Sequence, residues 1–281
     1  MRATDRLSLG SSALRISPLC VAIVGSSDVV RAAYEMGVNF FAVTVDMHWP
    51  VYEPLRRGLV ELIHDVPAAR DEIVIMGISY VTHPRFCHAP FAELLDAHPT
   101  FGRIDVSGMG ATTNADFLNR WGEHARHVGD DRLGVRALAG LFDDGLAASV
   151  AATKRLVDLA FIGYRPSMRF LREVVLDKLD ADSVPVFSVG SSVDHRGRKR
   201  LTELGVGPDQ WAPRQADYVR YALGAAGMSG ALCNPTTVQD MTEIVGALAE
   251  GPLTHEERTY LEDLADLDRG LAELAKEQRK V

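Results

Sequence analysis

The sequence predicts an α/β fold, a (β/α)8 TIM barrel with an N-terminal β-hairpin and an extra C-terminal helix. Short apolar runs alternate eight times with segments of helical periodicity along the chain. This alternation favours a parallel sheet with right-handed crossovers, and eight such units close naturally into a barrel. A length of 281 residues is ordinary for one barrel domain spanning 1–281. A doubly wound open sheet is the alternative.

The individual elements follow from local patterns. Residues 6–18 alternate apolar and polar side chains around Gly10-Ser11-Ser12, which predicts the hairpin. Leucines at helical spacing predict the extra helix at 256–280. Strands are predicted at 19–24, 38–44, 72–78, 103–107, 133–138, 157–163, 184–189 and 230–233, and the intervening helices at 28–36, 53–64, 90–97, 115–128, 144–155, 168–179, 214–226 and 238–248.

Composition and charge narrow the classes of function. The net charge of −8 argues against a nucleic-acid partner held by bulk electrostatics. The chain has no run of about 18 apolar residues, and MRATDRLSLGSS at its start lacks a signal-peptide core, so no membrane partner is expected. Three scattered cysteines fit a reducing cytoplasm. We therefore expect a cytoplasmic protein with a small-molecule substrate, and the oligomeric state stays open.

Ionisable side chains crowd together directly after the predicted second strand. Asp46, His48 and Trp49 follow an apolar run, and a helix begins near Pro50. Active sites of α/β barrels lie at the C-terminal ends of the strands. A carboxylate and an imidazole there predict a catalytic acid–base pair of Asp46 and His48, with Trp49 contacting the substrate. The alternative is a loop of solvated polar residues in which Asp46 is a turn or cap residue.

Three further predicted strands end in polar or basic side chains. Tyr80 and His83 follow the third strand, where Tyr80 could act as a catalytic proton donor and His83 could contact the substrate. Arg136 ends the fifth strand and Arg165 the sixth, and guanidinium groups at one mouth would clamp a carboxylate or phosphate of the substrate. The alternatives are a tyrosine packed beneath a loop and arginines in surface salt bridges. The histidines lack the spacing of a metal site, so no metal is predicted.

The loops after the last two predicted strands are typical of an anion site. Phosphate sites of barrels commonly use these two loops together with a helix N-terminus. Thr237 and Asp240 form a capping-box pattern at such a helix start. The alternative is that the basic run at 196–200, after the seventh predicted strand, is a solvated loop. The residues predicted to bind an anion or a cofactor are Gly190, Ser191, Arg196, Thr236 and Thr237.

The stretch VNFFAVTVDMHWPVYEPL at 38–55 resembles the second strand and following helix of the aldo-keto reductase superfamily, NFFDTADVYGxGxSEELLG. Asn39-Phe40-Phe41 and Glu53-Pro54-Leu55 anchor that alignment. The resemblance implies a (β/α)8 barrel whose hairpin covers its N-terminal end. Weaker matches follow in the family's order: RLSLGSSALRISP for its hairpin LGxTGLxVSPLGLG, RDEIVI for RDEVVIATK, RID for the start of YIDLYQLH, and NPTTVQDMTEIVGAL for GASSPEQLEENVAAL.

The resemblance also implies a chemistry, carbonyl reduction by hydride transfer from NADPH, with a catalytic Asp, Tyr, Lys and His at the barrel mouth. None of the residues that this chain has at those positions can transfer a proton. The family's cofactor contacts differ as well. The four catalytic positions hold Ala42, Met47, Ile78 and Gly110. Val189 stands where a Tyr stacks on the nicotinamide, Ile244 where an Asn contacts the adenine, and Arg136-Ala137 where a Ser-Asn pair holds the carboxamide.

We therefore expect an aldo-keto-reductase-like barrel that has lost the standard redox tetrad and uses no cofactor. The expected activity is a non-redox step, of isomerase, lyase (dehydratase) or cyclase type, on a small polar or anionic metabolite. Two alternatives stay open, because fold alone does not determine function. One is a divergent NAD(P)H-dependent oxidoreductase that binds NADP and uses Tyr80 or His48. The other is a non-catalytic binding or regulatory subunit.

Overall fold

Eight parallel strands close into one barrel in a computed structural model of the chain, which describes residues 1–44, 49–111, 114–142, 156–176 and 184–278. Each barrel strand pairs with its neighbour in the sequence, and the last strand pairs with the first to close the ring. A separate two-stranded antiparallel sheet precedes the barrel. The predicted TIM barrel with its N-terminal hairpin is thus confirmed, and the open-sheet alternative is excluded.

The strands are short and the helices lie between them in sequence. The strands are β1 Leu7–Ser8, β2 Arg15–Ile16, β3 Leu19–Val21, β4 Phe40–Thr44, β5 Val74–Ser79, β6 Val106–Ala111, β7 Ala137–Phe142, β8 Leu159–Ile162, β9 Val186–Ser188 and β10 Gly230–Cys233. The α-helices of the described residues are Asp28–Glu35, Glu53–Asp65, Ala69–Glu72, Ala89–Ala97, Asn114–Arg126, Leu171–Val174, Arg198–Glu203, Gln215–Leu223, Val238–Glu250 and His255–Gln278. None of these helices has the length and apolar character needed to cross a membrane.

The hairpin of β1 and β2 covers the N-terminal end of the barrel. Leu9 and Leu14, in its turn, are buried in the cluster that fills the barrel interior. Asn39, just before β4, ties the hairpin to the barrel. Its Oδ1 accepts the N–H of Ser17 at 2.7 Å, and its Nδ2 donates to the carbonyl of Arg15 at 2.9 Å. The hairpin therefore closes the end opposite to the one where barrel active sites lie.

Alternate residues of the strands fill the barrel interior, since successive side chains of a strand point to opposite faces. The rings of Phe40, Phe161 and Phe187 meet there with centroids 5.5–6.5 Å apart. Small side chains such as Ala42 and Ala139 leave room beside these rings in the same cluster. The interior is thus a packed core, and a ligand site has to lie at the mouth formed by the C-terminal strand ends.

Most barrel strands begin later than the sequence predicts, and the two largest differences, of three and four residues, are at β6 and β7. The prediction places them at 103–107 and 133–138, whereas β6 is Val106–Ala111 and β7 is Ala137–Phe142, paired in register from Val106 with Ala137 to Ala111 with Phe142. Both predictions are wrong because β6 and β7 are rich in glycine and alanine, which are weak strand formers. The predicted helix at 144–155 lies outside the described residues. Of the one predicted at 168–179, the structure describes a helix at Leu171–Val174.

Candidate functional site

Three of the positions that match the family's catalytic residues lie on adjacent strands of the barrel. Ala42 is in β4, Ile78 near the end of β5, and Gly110 near the end of β6. Ala42 and Ile78 are 0% and 1% exposed and belong to the interior cluster. Met47, the fourth position, lies outside the described residues. These three residues therefore form an apolar floor on this side of the mouth, and none of them has an ionisable side chain.

Tyr80 occupies the space that Gly110 leaves open. It follows β5 directly and is 37% exposed. A Cβ added to Gly110 would overlap the Tyr80 ring, so the ring lies across the end of β6. The phenol is therefore placed where a ligand in the mouth can reach it. Its part as a proton donor stays a prediction.

A buried arginine lies beneath this contact. Arg120, on the helix Asn114–Arg126, is 0% exposed. Its guanidinium donates to the carbonyl of Val81 at 3.1 Å, to that of Ser79 at 3.5 Å, and to that of Gly110. One side chain therefore binds the backbone on both sides of Tyr80 and the strand end below its ring.

Sequence reasoning missed Arg120, although the helix that carries it is predicted. A signal was present, because Arg120 falls on the buried stripe of that helix between Phe117 and His124. Asp116, four residues earlier, accepts from its guanidinium at 2.7 Å. A charged residue on an apolar stripe with a carboxylate at i−4 indicates a buried, bonded guanidinium rather than a solvated one.

Arg165 lies at the mouth end of β8, three strands around the barrel from β5. Its side chain is 18% exposed, and its Nε donates to Oγ of Ser167 at 3.2 Å. Asp194, after β9, accepts from the N–H and Oγ of Ser167 at 2.7 and 2.9 Å, and lies 3.8 Å from Arg165 Nε. The guanidinium is thus held in place and partly neutralised. Its contact with a substrate stays a prediction.

The loops after β9 and β10 bring Arg196 and Thr236 to one cleft of about 510 Å³. Both are engaged within the chain. Arg196 pairs with Asp268 at 2.7 Å. Oδ2 of Asp240 accepts the N–H groups of Thr236 and Thr237 at 3.0 and 3.1 Å. A carboxylate of the protein itself therefore lies at the helix N-terminus where an anion would bind.

The other three residues of the predicted anion site, Gly190, Ser191 and Thr237, do not line that cleft. Gly190 has a left-handed φ of 67°, which glycine adopts without strain, and leads into a short 3-10 helix, Ser191–Asp194. Ser191 is buried. Arg196, Arg198 and Arg214 line the cleft together with Asp240 and Glu243, so its walls carry charges of both signs. That NADPH does not bind there stays a prediction.

The remaining predicted residues follow β4 and β5 in the sequence. His83 is exposed. Asp46 and His48 lie outside the described residues, and Trp49 begins the 3-10 helix Trp49–Tyr52. Tyr52, which follows them in the sequence, is half-buried against the interior cluster.

Arg136 corrects the sequence prediction. It precedes β7, whose first residue is Ala137, so it lies at the N-terminal end of the barrel, away from the mouth. Its guanidinium donates to Oδ1 of the buried Asp105 at 3.0 Å. The prediction that Arg136 contacts the substrate is therefore wrong, because it depended on a strand that was predicted to begin four residues too early. The match of Arg136-Ala137 to the family's carboxamide-binding pair fails for the same reason.

Cysteine and metal chemistry find little support among the described residues. Cys20, Cys87 and Cys233 are free and buried. Burial raises the pKa of the Cys87 thiol to about 11 and that of Cys233 to about 12, so neither is a thiolate near neutrality. No group of three or more His, Cys, Asp or Glu side chains in this part of the chain is arranged to hold a metal ion.

Gly110→Ala should displace the Tyr80 ring, because the added Cβ and the ring cannot share the same space. We expect a loss of about 1–3 kcal/mol in the free energy of unfolding, typical of overpacking, and a changed near-ultraviolet circular dichroism spectrum. Gly246→Ala is the control, since Gly246 is helical with open space around it and alanine favours helices. A Gly110→Ala protein with wild-type stability and spectrum would contradict the described contact.

No protein-family model matches the chain, and no curated protein matches it in sequence. Solved structures do resemble it in fold. Aldo-keto reductase AKR11C1 from Bacillus halodurans, in its holo form, superposes with a TM-score of 0.67 at 12% identity, over 93% of this chain and 96% of its own. PA4992 from Pseudomonas aeruginosa, assigned to the aldo-keto reductases, gives 0.66 at 14% identity over 89% and 96%. The thermostable aldo-keto reductase Tm1743, in complex with the inhibitor epalrestat, gives 0.65 at 13% identity over 92% and 99%.

The chain therefore has the fold of the aldo-keto reductases along nearly its whole length. At sequence identities of 12–14%, the similarity establishes the fold, and the chemistry has to be inferred from the residues of the site. The resemblance inferred from the motifs is confirmed at this level.

Proposed function

We propose that this barrel binds a small polar or anionic metabolite at its mouth and acts on it by a non-redox step of isomerase, lyase (dehydratase) or cyclase type. The observation that carries the proposal is the apolar floor formed by Ala42, Ile78 and Gly110, with the Tyr80 phenol lying over it. A proton relay of the reductase kind needs ionisable groups at those positions. In the proposal, Tyr80 replaces them as the acid–base group.

Arg165 is proposed to bind the anionic part of the substrate. It lies at the mouth three strands from Tyr80, so a small molecule held between them would meet a phenol on one side and a guanidinium on the other. Arginine stays charged at any working pH and therefore binds or polarises without transferring protons. Asp46 and His48 are proposed as further acid–base groups, and Trp49 and His83 as substrate contacts, on the sequence evidence alone.

The competing proposal is a divergent NAD(P)H-dependent oxidoreductase, and cofactor binding separates the two. Because Asp240 lies at the helix N-terminus and Arg196 is paired with Asp268, we expect NADPH to bind weakly or not at all. Fluorescence titration or calorimetry with NADPH measures this directly. Saturation at low micromolar NADPH would refute the non-redox proposal and support the oxidoreductase.

The role of Tyr80 is tested by substitution. Small hydroxycarboxylates and phosphate monoesters can be screened by thermal shift, and the compounds that stabilise the protein then assayed for conversion. Tyr80→Phe should lower turnover by about 10²–10⁴-fold, the usual contribution of one acid–base group. Tyr34→Phe is the matched control, because its hydroxyl donates to Glu72, which precedes β5 at the opposite end of the barrel. Binding without turnover, unchanged in Tyr80→Phe, would instead favour a non-catalytic binding protein.

A further inference from the structure

We infer that Arg120 positions Tyr80 at the barrel mouth. The inference rests on the proposed role of Tyr80, and it assigns a residue that neither the sequence motifs nor the family's catalytic set includes. Arg120 touches no part of the mouth that a ligand enters, since it is 0% exposed. It acts through the backbone that carries Tyr80.

The guanidinium makes contacts in two directions. One terminal nitrogen, Nη1, donates to the carbonyls of Ser79 and Val81, at 3.5 and 3.1 Å, which are the neighbours of Tyr80 in the chain. The other, Nη2, donates to the carbonyl of Gly110 and to Oδ2 of Asp116, the latter at 2.7 Å. The planar group therefore bridges the end of β5 and the end of β6, and it is anchored to its own helix.

These contacts hold both partners of the Tyr80–Gly110 contact, because they bind the backbone beside Tyr80 and the carbonyl of Gly110. Buried backbone carbonyls at the end of a strand need a hydrogen-bond donor. Arg120 supplies it for the segment on either side of Tyr80 and for the residue beneath the ring. Rotation of the Tyr80 peptide away from β6 would break bonds to a buried charge, which is costly in a low-dielectric environment.

A lysine cannot take the place of this arginine. Its single ammonium donates from one point, whereas the guanidinium is a rigid fork with donors on separate nitrogens. Arg120→Lys keeps the buried charge and one or two of the bonds, and so releases one strand end while preserving the charge balance with Asp116. Arg126→Lys is the matched control on the same helix, since the Arg126 side chain is 74% exposed and pairs only with Glu123 in the described structure.

The test is 19F NMR of protein labelled with 3-fluorotyrosine, which needs no ligand. Tyr80→Phe identifies the Tyr80 signal among the seven tyrosines. In Arg120→Lys we expect this signal to move toward the shift of free fluorotyrosine, while the other signals keep their places. Arg126→Lys should leave all signals unchanged. A Tyr80 signal that is the same in wild type and in folded Arg120→Lys would overturn the inference.

A second variant keeps the inference testable if Arg120→Lys does not fold. Asp116→Asn leaves the arginine in place but removes its carboxylate partner, and it should shift the Tyr80 signal in the same direction by a smaller amount. If the Tyr80 signal did not shift in the folded Asp116→Asn variant, this would contradict the inference that Arg120 positions Tyr80. The outcome is separable from the proposed function, because loss of turnover in Tyr80→Phe tests the role of the phenol, whereas the NMR signal tests only what holds it.

Discussion

Asp105→Ala should lower the free energy of unfolding by about 3–5 kcal/mol, the usual cost of removing one partner from a buried ionic network. Asp105 precedes β6 at the N-terminal end of the barrel and is 0% exposed. Its Oδ1 accepts from Arg103 at 2.7 Å and from Arg136 at 3.0 Å. Its Oδ2 accepts from Arg70 and from the N–H of Ile75, both at 2.9 Å. Alanine would leave all four donors without this acceptor.

Urea denaturation followed by circular dichroism measures the effect, provided that the slope of the transition is unchanged. Asp71→Ala is the matched control, because the Asp71 side chain is 84% exposed and contacts the same Arg103 at 3.4 Å. It should change stability by no more than about 0.5–1 kcal/mol. If the two variants were equally stable, the carboxylate of Asp105 would not hold this end of the barrel together.

Hydrophobic periodicity explains why the sequence predicted the fold better than the site. The eight strand–helix units and the hairpin are visible as hydrophobic periodicity, which depends on local spacing. The bounds of β6 and β7 are less visible, since Gly108, Gly110 and Ala139 suppress the strand signal. Gly110 leaves space for the Tyr80 ring and Gly108 for Met76 and Ile78, and these neighbours come from a part of the chain that is distant in sequence.

Because β7 was predicted to begin and end too early, Arg136 was assigned to the C-terminal end of the barrel, whereas it lies at the N-terminal end. A shift of about four residues carries a side chain roughly 13 Å along a strand, which is the length of a short barrel strand. Tyr80 escaped this error because β5 ends one residue from its predicted end, at Ser79. The helix pattern indicates that Arg120 is buried, but it does not indicate what Arg120 binds, since its partners Ser79, Val81 and Gly110 come from two other elements.

Lowering the pH should destabilise the protein at pH values above those at which its carboxylates titrate. We expect His124 to be the main cause. Burial, with Arg120, His127 and His88 nearby, lowers the pKa of His124 to about 3. Its Nδ1 lies 2.8 Å from Oγ of Ser107, while its Nε2 is buried with no hydrogen-bond partner among the described residues. The folded protein thus holds this ring neutral, whereas the unfolded chain protonates it at about pH 6.5.

The sign follows from proton uptake. Between about pH 6.5 and pH 3 the unfolded state binds a proton that the folded state does not, so stability falls as the pH is lowered through this window. The contribution of His124 is fully present above about pH 6.5, and its loss amounts to about 1.4 kcal/mol per pH unit, or roughly 4–5 kcal/mol by pH 3. Burial also lowers the pKa of His88, His98 and His195, which adds to the loss in the same direction.

His124→Gln isolates this contribution, because the amide oxygen can accept from Ser107 but does not titrate. We expect its stability to depend less steeply on pH than that of the wild type by about 1.4 kcal/mol per unit between pH 6 and pH 4. Urea denaturation of the wild type and His124→Gln at several pH values gives the slopes, and equal slopes for the two proteins would exclude His124 as the acid-sensitive group.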